Sequence, residues 1–140
     1  MIANEKTVRL NPYQMLAFRT IGLARDSNKV GLEMTYDSVL KGRNGKQTVR
    51  SIAGGVGVPV DDSYLVEPET GKDIVSTIDV FIQDITENAL MKMMIKNDAD
   101  HGCAIVMETK TGKIKAIANL GKRSEGNYWE DLNYAITGHF

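Results

Sequence analysis

A serine and a lysine stand one helical turn apart in the segment YDSVLKGRNG, residues 36–45, and this spacing could serve acyl transfer. In an S-x-x-K pattern, Ser38 would supply the hydroxyl nucleophile, and Lys41 or a neighbouring base would take its proton. A second match, Lys110-Thr111-Gly112, supplies the K-T-G triplet that accompanies S-x-x-K in such serine enzymes. Whether the chain is an enzyme depends on where these residues lie.

The helical phase of the first match argues against catalysis. The spacing predicts a short helix over Leu32–Lys41, with an apolar stripe made of Leu32, Tyr36, Val39 and Leu40. An advance of about 100° per residue places Ser38 and Lys41 on the opposite, solvated side. Lys41 also precedes Gly42, the usual glycine stop, where the helix dipole favours a charged ammonium. A solvated, protonated lysine is no general base, so an ordinary surface helix is predicted.

The K-T-G match is predicted to be a turn. Apolar runs at Cys103–Met107 and Ile114–Ala118 flank the polar segment Glu108–Lys113, which is the pattern of a β-hairpin with Gly112 at positive φ. Threonine and glycine are ordinary residues at a hairpin tip, and no S-x-N lies between the two matches. We therefore assign no catalytic residue. A small serine acyl-enzyme that uses Ser38 and Lys41 stays as an alternative, which requires both side chains to be buried together.

The composition excludes several classes of protein. The chain has 140 residues, of which 42% are hydrophobic, and its 17 basic and 18 acidic residues give a net charge of −1, so no nucleic-acid partner is predicted. The single cysteine, Cys103, lies in an apolar run and is predicted to be an inert core thiol. His101 and His139 have no metal-ligand spacing around them, so neither a metal nor a cofactor is predicted. No apolar run approaches the roughly 20 residues that span a membrane, and the chain is predicted to be soluble.

The first half predicts a β-rich lobe with one helix. Residues Leu16–Leu23 are predicted as mixed strand or coil, and Lys46–Ala53 as a strand. Glycines and prolines cluster in Gly54–Gly71, which is predicted as a linker or long connection.

The second half predicts strand, helix and hairpin. A strand is predicted over Lys72–Ile78, followed by an amphipathic helix over Val80–Lys96 that Asp79 caps. The apolar stripe of that helix consists of Phe81, Ile82, Ile85, Ala89 and Met93. Weak helical character is predicted from Trp129 to Ile136. Strand, helix and hairpin in succession indicate an α+β fold.

Three segments resemble class B penicillin-binding proteins. The first resembles the pattern G-L-E-x-x-Y-D-x-x-L-x-G-x-x-G, through Gly31, Leu32, Glu33, Tyr36, Asp37, Leu40, Gly42 and Gly45. The second resembles P-x-x-G-x-D-I-x-x-T-I-D-x-x-x-Q, through Pro68, Gly71, Asp73, Ile74, Thr77, Ile78, Asp79 and Gln83. The third resembles the first hairpin of the transpeptidase sheet, through Gly102, Val106, Thr111, Gly112, Ile114 and Ala116. Their order over much of the chain makes the resemblance specific.

The resemblance implies a division into two parts. Residues 1–71 would belong to the pedestal, or dimerisation, region, and residues 72–140 would open the transpeptidase domain. Leu132, Asn133 and Ala135 resemble the stretch that leads into the active-site helix of the family. The catalytic P-G-S-x-x-K of the family follows that stretch, so this chain is expected to be a non-catalytic portion, truncated before the nucleophile.

The resemblance also implies the function of the parent protein. That protein would be a membrane-anchored D,D-transpeptidase, facing the periplasm, that cross-links peptidoglycan stem peptides and is acylated by β-lactams. The short pedestal favours the cell-division type, with other cell-wall synthesis proteins as partners. A stand-alone module that recruits such partners is the alternative, and self-association through apolar surface is expected of an incomplete sheet.

Overall fold

The structure, a computed structural model, describes residues 10–25, 28–55 and 57–137. The helices are α1 (Phe18–Ile21), α2 (Gly31–Thr35), α3 (Asp37–Leu40), α4 (Val80–Asn97) and α5 (Tyr134–Thr137). The strands are β1 (Leu23–Arg25), β2 (Asn28–Val30), β3 (Lys46–Ser51), β4 (Gly57–Val66), β5 (His101–Met107), β6 (Ile114–Ser124) and β7 (Asn127–Trp129). Within these residues every strand pair is antiparallel, and the mixture of helix and antiparallel sheet confirms the α+β class.

The chain divides into two compact units. One unit is Thr35–Val75, and the other combines the chain up to Met34 with the chain from Ser76 onward. The smaller unit contains α3 and the pair β3–β4. The larger contains α4 and a three-stranded sheet in the order β5-β6-β7. The grouping of the residues before Thr35 with the C-terminal half was not predicted, and the proposed boundary at Gly71 stays a prediction.

The predicted hairpin is confirmed as β5 and β6. Its register pairs Gly102 with Leu120 and Ala104 with Ala118, and the intervening turn is closed by a hydrogen bond from Glu108 N–H to Lys113 O at 2.9 Å. Gly112 has a φ of 71°, a left-handed conformation that glycine adopts without the penalty a Cβ would bring. The turn chemistry read from the sequence is therefore correct.

The limits of α4 also agree with the prediction. The Asp79 carboxylate accepts hydrogen bonds from Phe81 N–H at 3.0 Å and Ile82 N–H at 3.2 Å, which satisfies two of the free donors at the helix start. At the other end Asp98 adopts a left-handed conformation with a φ of 48° and terminates the helix.

The face of α4 that packs inward is not the predicted one. Four of the five members of the predicted apolar stripe are exposed, with Phe81 at 81% and Ile85 at 68% accessibility and Ala89 and Met93 also open to solvent. The buried residues of α4 are instead Gln83, Thr86 and Met94. The prediction was wrong because α4 carries apolar residues around much of its circumference, so its own periodicity does not single out the buried side.

A small apolar cluster joins α4 to the sheet. Met94 packs with Leu120 and Tyr128, and Leu90 and Met91 lie partly buried beside them. A Cβ on Gly102 would lie 3.3 Å from the Leu90 and Met94 side chains, so this glycine lets α4 approach β5 closely. The sheet surface under the helix is otherwise made of small residues, including the fully buried Ala116 and Ala118.

Cys103 lies on the other side of β5 and is exposed, which corrects its prediction as a core thiol. Successive strand residues point to opposite faces, so Gly102 faces α4 while Cys103 and Ile105 face away from it. Ile105 is exposed in the same way. An apolar run in a strand marks burial on both faces, and here the described residues bury mainly one.

The segment between residues 31 and 71 differs from its prediction at two places. The single helix predicted over Leu32–Lys41 is interrupted at Tyr36, which has a φ of −108° and a ψ of 19°, and so becomes α2 and α3. The glycine-rich and proline-rich segment Gly54–Gly71 is not a linker, because most of it forms β4. This strand pairs with β3 through two register shifts, and these irregularities accommodate its unfavourable composition.

Three further predictions, for one segment before α2, for the segment before α4 and for the segment after β6, are also corrected. Leu16–Leu23, predicted as mixed strand or coil, contains the short helix α1. Lys72–Ile78 runs without regular strand structure, since its hydrogen bonds are made by side chains and single amides. Trp129, predicted to begin a helix, is the last residue of β7, and the helix starts only at Tyr134. Across the described ranges, none of the helices has both the length and the apolar character that crossing a bilayer requires.

Candidate functional site

Ser38 and Lys41 lie at the surface of the smaller unit. Ser38 is in α3, a helix of 4 residues, and Lys41 is the residue that ends it; both side chains are exposed. Gly42 follows with a φ of 65°, as expected for the residue after a helix end. A lysine needs burial or a nearby positive charge to become a base, and this position provides no burial. The absence of a catalytic site here stays a prediction.

Lys110-Thr111-Gly112 occupies the turn between β5 and β6. The Thr111 hydroxyl donates a short hydrogen bond to the Glu108 carboxylate, and Gly112 N–H donates to Glu108 O at 2.8 Å. These are local contacts that close the turn. The threonine and the glycine therefore stabilise the turn of the hairpin.

The glycines of the two motifs before α4 permit close backbone contacts within the smaller unit. A Cβ on Gly71 would lie 1.8 Å from Leu40 O, and one on Gly42 would lie 2.2 Å from Glu69 O. Beside them Arg43 and Glu69 exchange two backbone hydrogen bonds, at 2.9 and 3.0 Å. No larger residue fits where backbones approach this closely. These motif positions therefore fix the smaller unit.

The polar motif residues around the start of α4 complete the open edge of β6. β7 pairs with β6 only from Gly121 onward, so the earlier part of that edge has no neighbouring strand among the described residues. Thr77 donates its hydroxyl to Ile114 O at 2.7 Å, and Asp79 donates its backbone N–H to Lys115 O at 2.8 Å. Both contacts satisfy carbonyls that a strand would otherwise bond.

Gln83 makes the most complete of these contacts. Its side-chain Oε1 accepts the Ile117 N–H at 2.8 Å, and its Nε2 donates to Ile117 O at 2.8 Å. The primary amide thus pairs with both backbone groups of one residue, as a neighbouring strand would. Gln83 is fully buried, with 0% accessibility, so both bonds are shielded from water.

Two carboxylates extend this polar network to the N-terminal segment. Glu87 Oε1 accepts hydrogen bonds from Gln83 Nε2 at 2.8 Å and from Ala17 N–H at 3.0 Å. Glu130, which follows β7 and is 5% exposed, accepts the Arg19 N–H at 2.8 Å through Oε2. Neither glutamate stands out from the sequence as a functional residue. The residues next to such a glutamate in the sequence do not indicate that it is buried, because its partner is a backbone amide far along the chain.

The environment of Glu130 perturbs its acidity. Burial raises the pKa of the Glu130 carboxyl to about 7. The hydrogen bond from Arg19 N–H opposes this rise because it favours the charged form, and the nearby Glu87 charge adds to the rise. A carboxyl that titrates near neutrality is an acid–base candidate, but a network of backbone amides is also a structural arrangement that perturbs pKa values.

The residues that resemble the L-N-x-A stretch lie beside the second half of β6, near Asn119. Ala135 N–H donates to Asn119 Oδ1 at 3.1 Å, and the Tyr134 ring stacks on His101 with centroids 5.0 Å apart. Asp131 accepts hydrogen bonds from the Tyr134 hydroxyl at 2.9 and 3.0 Å. Burial and these bonds raise the pKa of Tyr134 to about 12, so it stays a neutral donor.

A metal site does not form among the residues described. No group of three or more histidine, cysteine, aspartate or glutamate side chains converges in the described ranges. His101 is occupied by its contact with Tyr134, and His139 lies outside the described residues.

Several known proteins are similar to this chain in sequence. No protein-family profile matches the chain. A peptidoglycan D,D-transpeptidase FtsI from Buchnera aphidicola subsp. Schizaphis graminum is 29% identical over 131 residues, which cover 92% of this chain and 23% of that protein. A probable peptidoglycan D,D-transpeptidase PenA from Neisseria gonorrhoeae is 32% identical over 90 residues, which cover 64% of this chain and 16% of that protein. The stage V sporulation protein D of Bacillus subtilis is 29% identical over 117 residues, covering 82% and 18%.

The fold has a counterpart among solved structures. The crystal structure of penicillin-binding protein 2X from Streptococcus thermophilus matches 90% of this chain and 20% of that protein, with a TM-score of 0.62 and 22% identity. The sequence relatives and this fold together support the resemblance to class B penicillin-binding proteins. It spans about a fifth of the length of the curated relatives it matches.

The contact between Gln83 and Ile117 predicts a large loss of stability on substitution. Gln83→Met keeps the side-chain length but leaves the Ile117 N–H and carbonyl buried without partners. We expect the free energy of unfolding to fall by about 2–4 kcal/mol. Urea unfolding followed by circular dichroism measures the change. Lys92→Met, at an exposed position of the same helix, is the matched control and should stay within about 0.5 kcal/mol of the unmodified chain. Equal stability of both variants would contradict the role of Gln83.

Proposed function

We propose that this region is a non-catalytic, structural part of a peptidoglycan D,D-transpeptidase that acts in cell-wall synthesis. One observation carries the proposal: the polar motif residues Thr77, Asp79 and Gln83 all bond to backbone at the start of α4 or along the edge of β6. The residues that resemble the family most closely therefore build a sheet and its first helix rather than a nucleophile.

The proposal assigns separate roles along the chain. Residues 1–71 would form part of the pedestal, and residues 72–140 the opening of the transpeptidase domain. The whole protein would be membrane-anchored and face the periplasm. Its substrates would be peptidoglycan stem peptides, and β-lactams would acylate its serine. The cell-division type is favoured, on the ground that the pedestal region is short.

Intact-mass spectrometry after incubation with a reactive penicillin tests this proposal. We expect no mass increase for this chain, because Ser38 is exposed and Lys41 is solvated. A full-length class B penicillin-binding protein is the positive control, and the Ser38→Ala variant is the matched negative. A stoichiometric adduct that maps to Ser38 and disappears in Ser38→Ala would contradict the proposal and establish the S-x-x-K pattern as an active site.

A protein-interaction module is the second candidate, because α4 exposes Phe81 and Ile85 to solvent. Sedimentation and thermal unfolding of the purified chain separate the two. A monomer with a sharp, cooperative transition would favour an independent module. Soluble aggregates or an exchanged dimer are the expected result for part of a larger sheet, since β5 has an unpaired edge within the described residues.

A further inference from the structure

The first turn of α1 is held by two carboxylates that come from distant parts of the chain. Ala17 N–H donates to Glu87 on α4, and Arg19 N–H donates to Glu130 after β7, at sequence separations of 70 and 111 residues. With only 4 residues, α1 has too few internal hydrogen bonds to be stable alone. Contacts with the rest of the chain, these two among them, therefore hold the segment Ala17–Ile21 in place.

The backbone of this segment is held in an unfavourable conformation. Ala17 has a φ of 51° and a ψ of 30°, in the left-handed region that residues with a Cβ rarely adopt. It is also fully buried. A strained residue keeps such a conformation only where the surrounding contacts enforce it. Loss of either carboxylate contact should therefore free the segment to relax away from α4.

The charges around Glu130 do not balance. α4 contributes the carboxylate of Glu87, whereas α1 and β6 contribute neutral backbone amides, those of Phe18, Arg19 and Asn119. In the described part of the chain, the Arg19 Nε is buried without a hydrogen-bond partner. Ionised Glu130 is therefore stabilised by the backbone amides of Arg19, Asn119 and Phe18, while burial and the charge of Glu87 oppose its ionisation. A proton on Glu130 removes both the buried charge and that repulsion.

We propose that Glu87 and Glu130 form a proton-sensitive fastening that holds the segment Ala17–Ile21 below neutral pH and releases it above. Undocking would expose Glu130 to water, where its carboxyl would return to its ordinary acidity. This conformational equilibrium of the chain does not depend on the proposed function.

The direction follows from proton linkage. Glu130 has its pKa raised from 4.5 to about 7 when docked, so docking takes up a proton between these values. The stabilisation that the proton provides is fully present below about pH 4.5. It declines as pH rises and is lost above about pH 7. Docking should weaken overall by on the order of 10- to 100-fold across this interval.

Hydrogen exchange of the 140-residue chain tests the fastening. Exchange of the Ala17 and Arg19 amides is measured between about pH 5 and pH 9 and corrected for the intrinsic dependence of exchange on pH. We expect the protection factors to fall on the order of 10- to 100-fold over this range. In Glu130→Gln, whose amide carries no charge at any of these values, the fall should disappear. Glu125→Gln, at the exposed turn after β6, is the matched control and should retain it.

A titration of the unmodified chain gives an answer that does not require any variant to fold. The ¹³C chemical shift of the Glu130 carboxyl should report a midpoint near 7. In Glu87→Gln the midpoint should move down, because a neighbouring negative charge has been removed. A midpoint near 4.5, or protection of Ala17 and Arg19 that does not change with pH, would overturn the proposal.

Discussion

The structure depends on how the open edge of β6 is satisfied. A strand edge in a buried position carries backbone donors and acceptors. Each of them destabilises the folded state when it has no hydrogen-bond partner. Here β7 reaches only the last part of the edge. The approach to α4 supplies the rest, from Thr77 at Ile114 to the Gln83 amide at Ile117. One helix therefore serves both as a layer over the sheet and as a substitute for a neighbouring strand.

This constraint explains why α4 turns a polar side toward the protein. Gln83 must face Ile117, and the residue one turn later, Glu87, then faces the segment at Ala17. The more apolar residues Phe81 and Ile85 are left on the outer side. In the described chain, the two shielded hydrogen bonds of the Gln83 amide and the packing of Met94 stabilise the fold more than the burial of those two side chains would. The same geometry connects the sheet edge to the buried Glu130 and to α1.

The sequence predicted local features well and distant pairings poorly. Asp79 at a helix start and Gly112 in a turn are recognised because the relevant donors lie two or three residues away. The sequence identified Gln83 only as a position of the family pattern. Its role was not predicted, because its partner Ile117 lies 34 residues further on and contributes only backbone groups. β4 was missed because Pro59 within it and the glycines at and just before its start lower its strand propensity, and its pairing with β3 overrides them. Glu87 and Glu130 escaped notice for the same reason as Gln83.

The exchange rate of a single amide tests the central claim most directly. Ile117 N–H points away from β5, and Gln83 is the partner that holds it. If the account is right, this amide exchanges as slowly as those of the strand pair β5–β6, and in a Gln83→Met chain it exchanges at least about 10-fold faster while Ala104 and Ala118 keep their protection. An Ile117 amide that exchanges freely in the unmodified chain, or one that stays protected without Gln83, would contradict it.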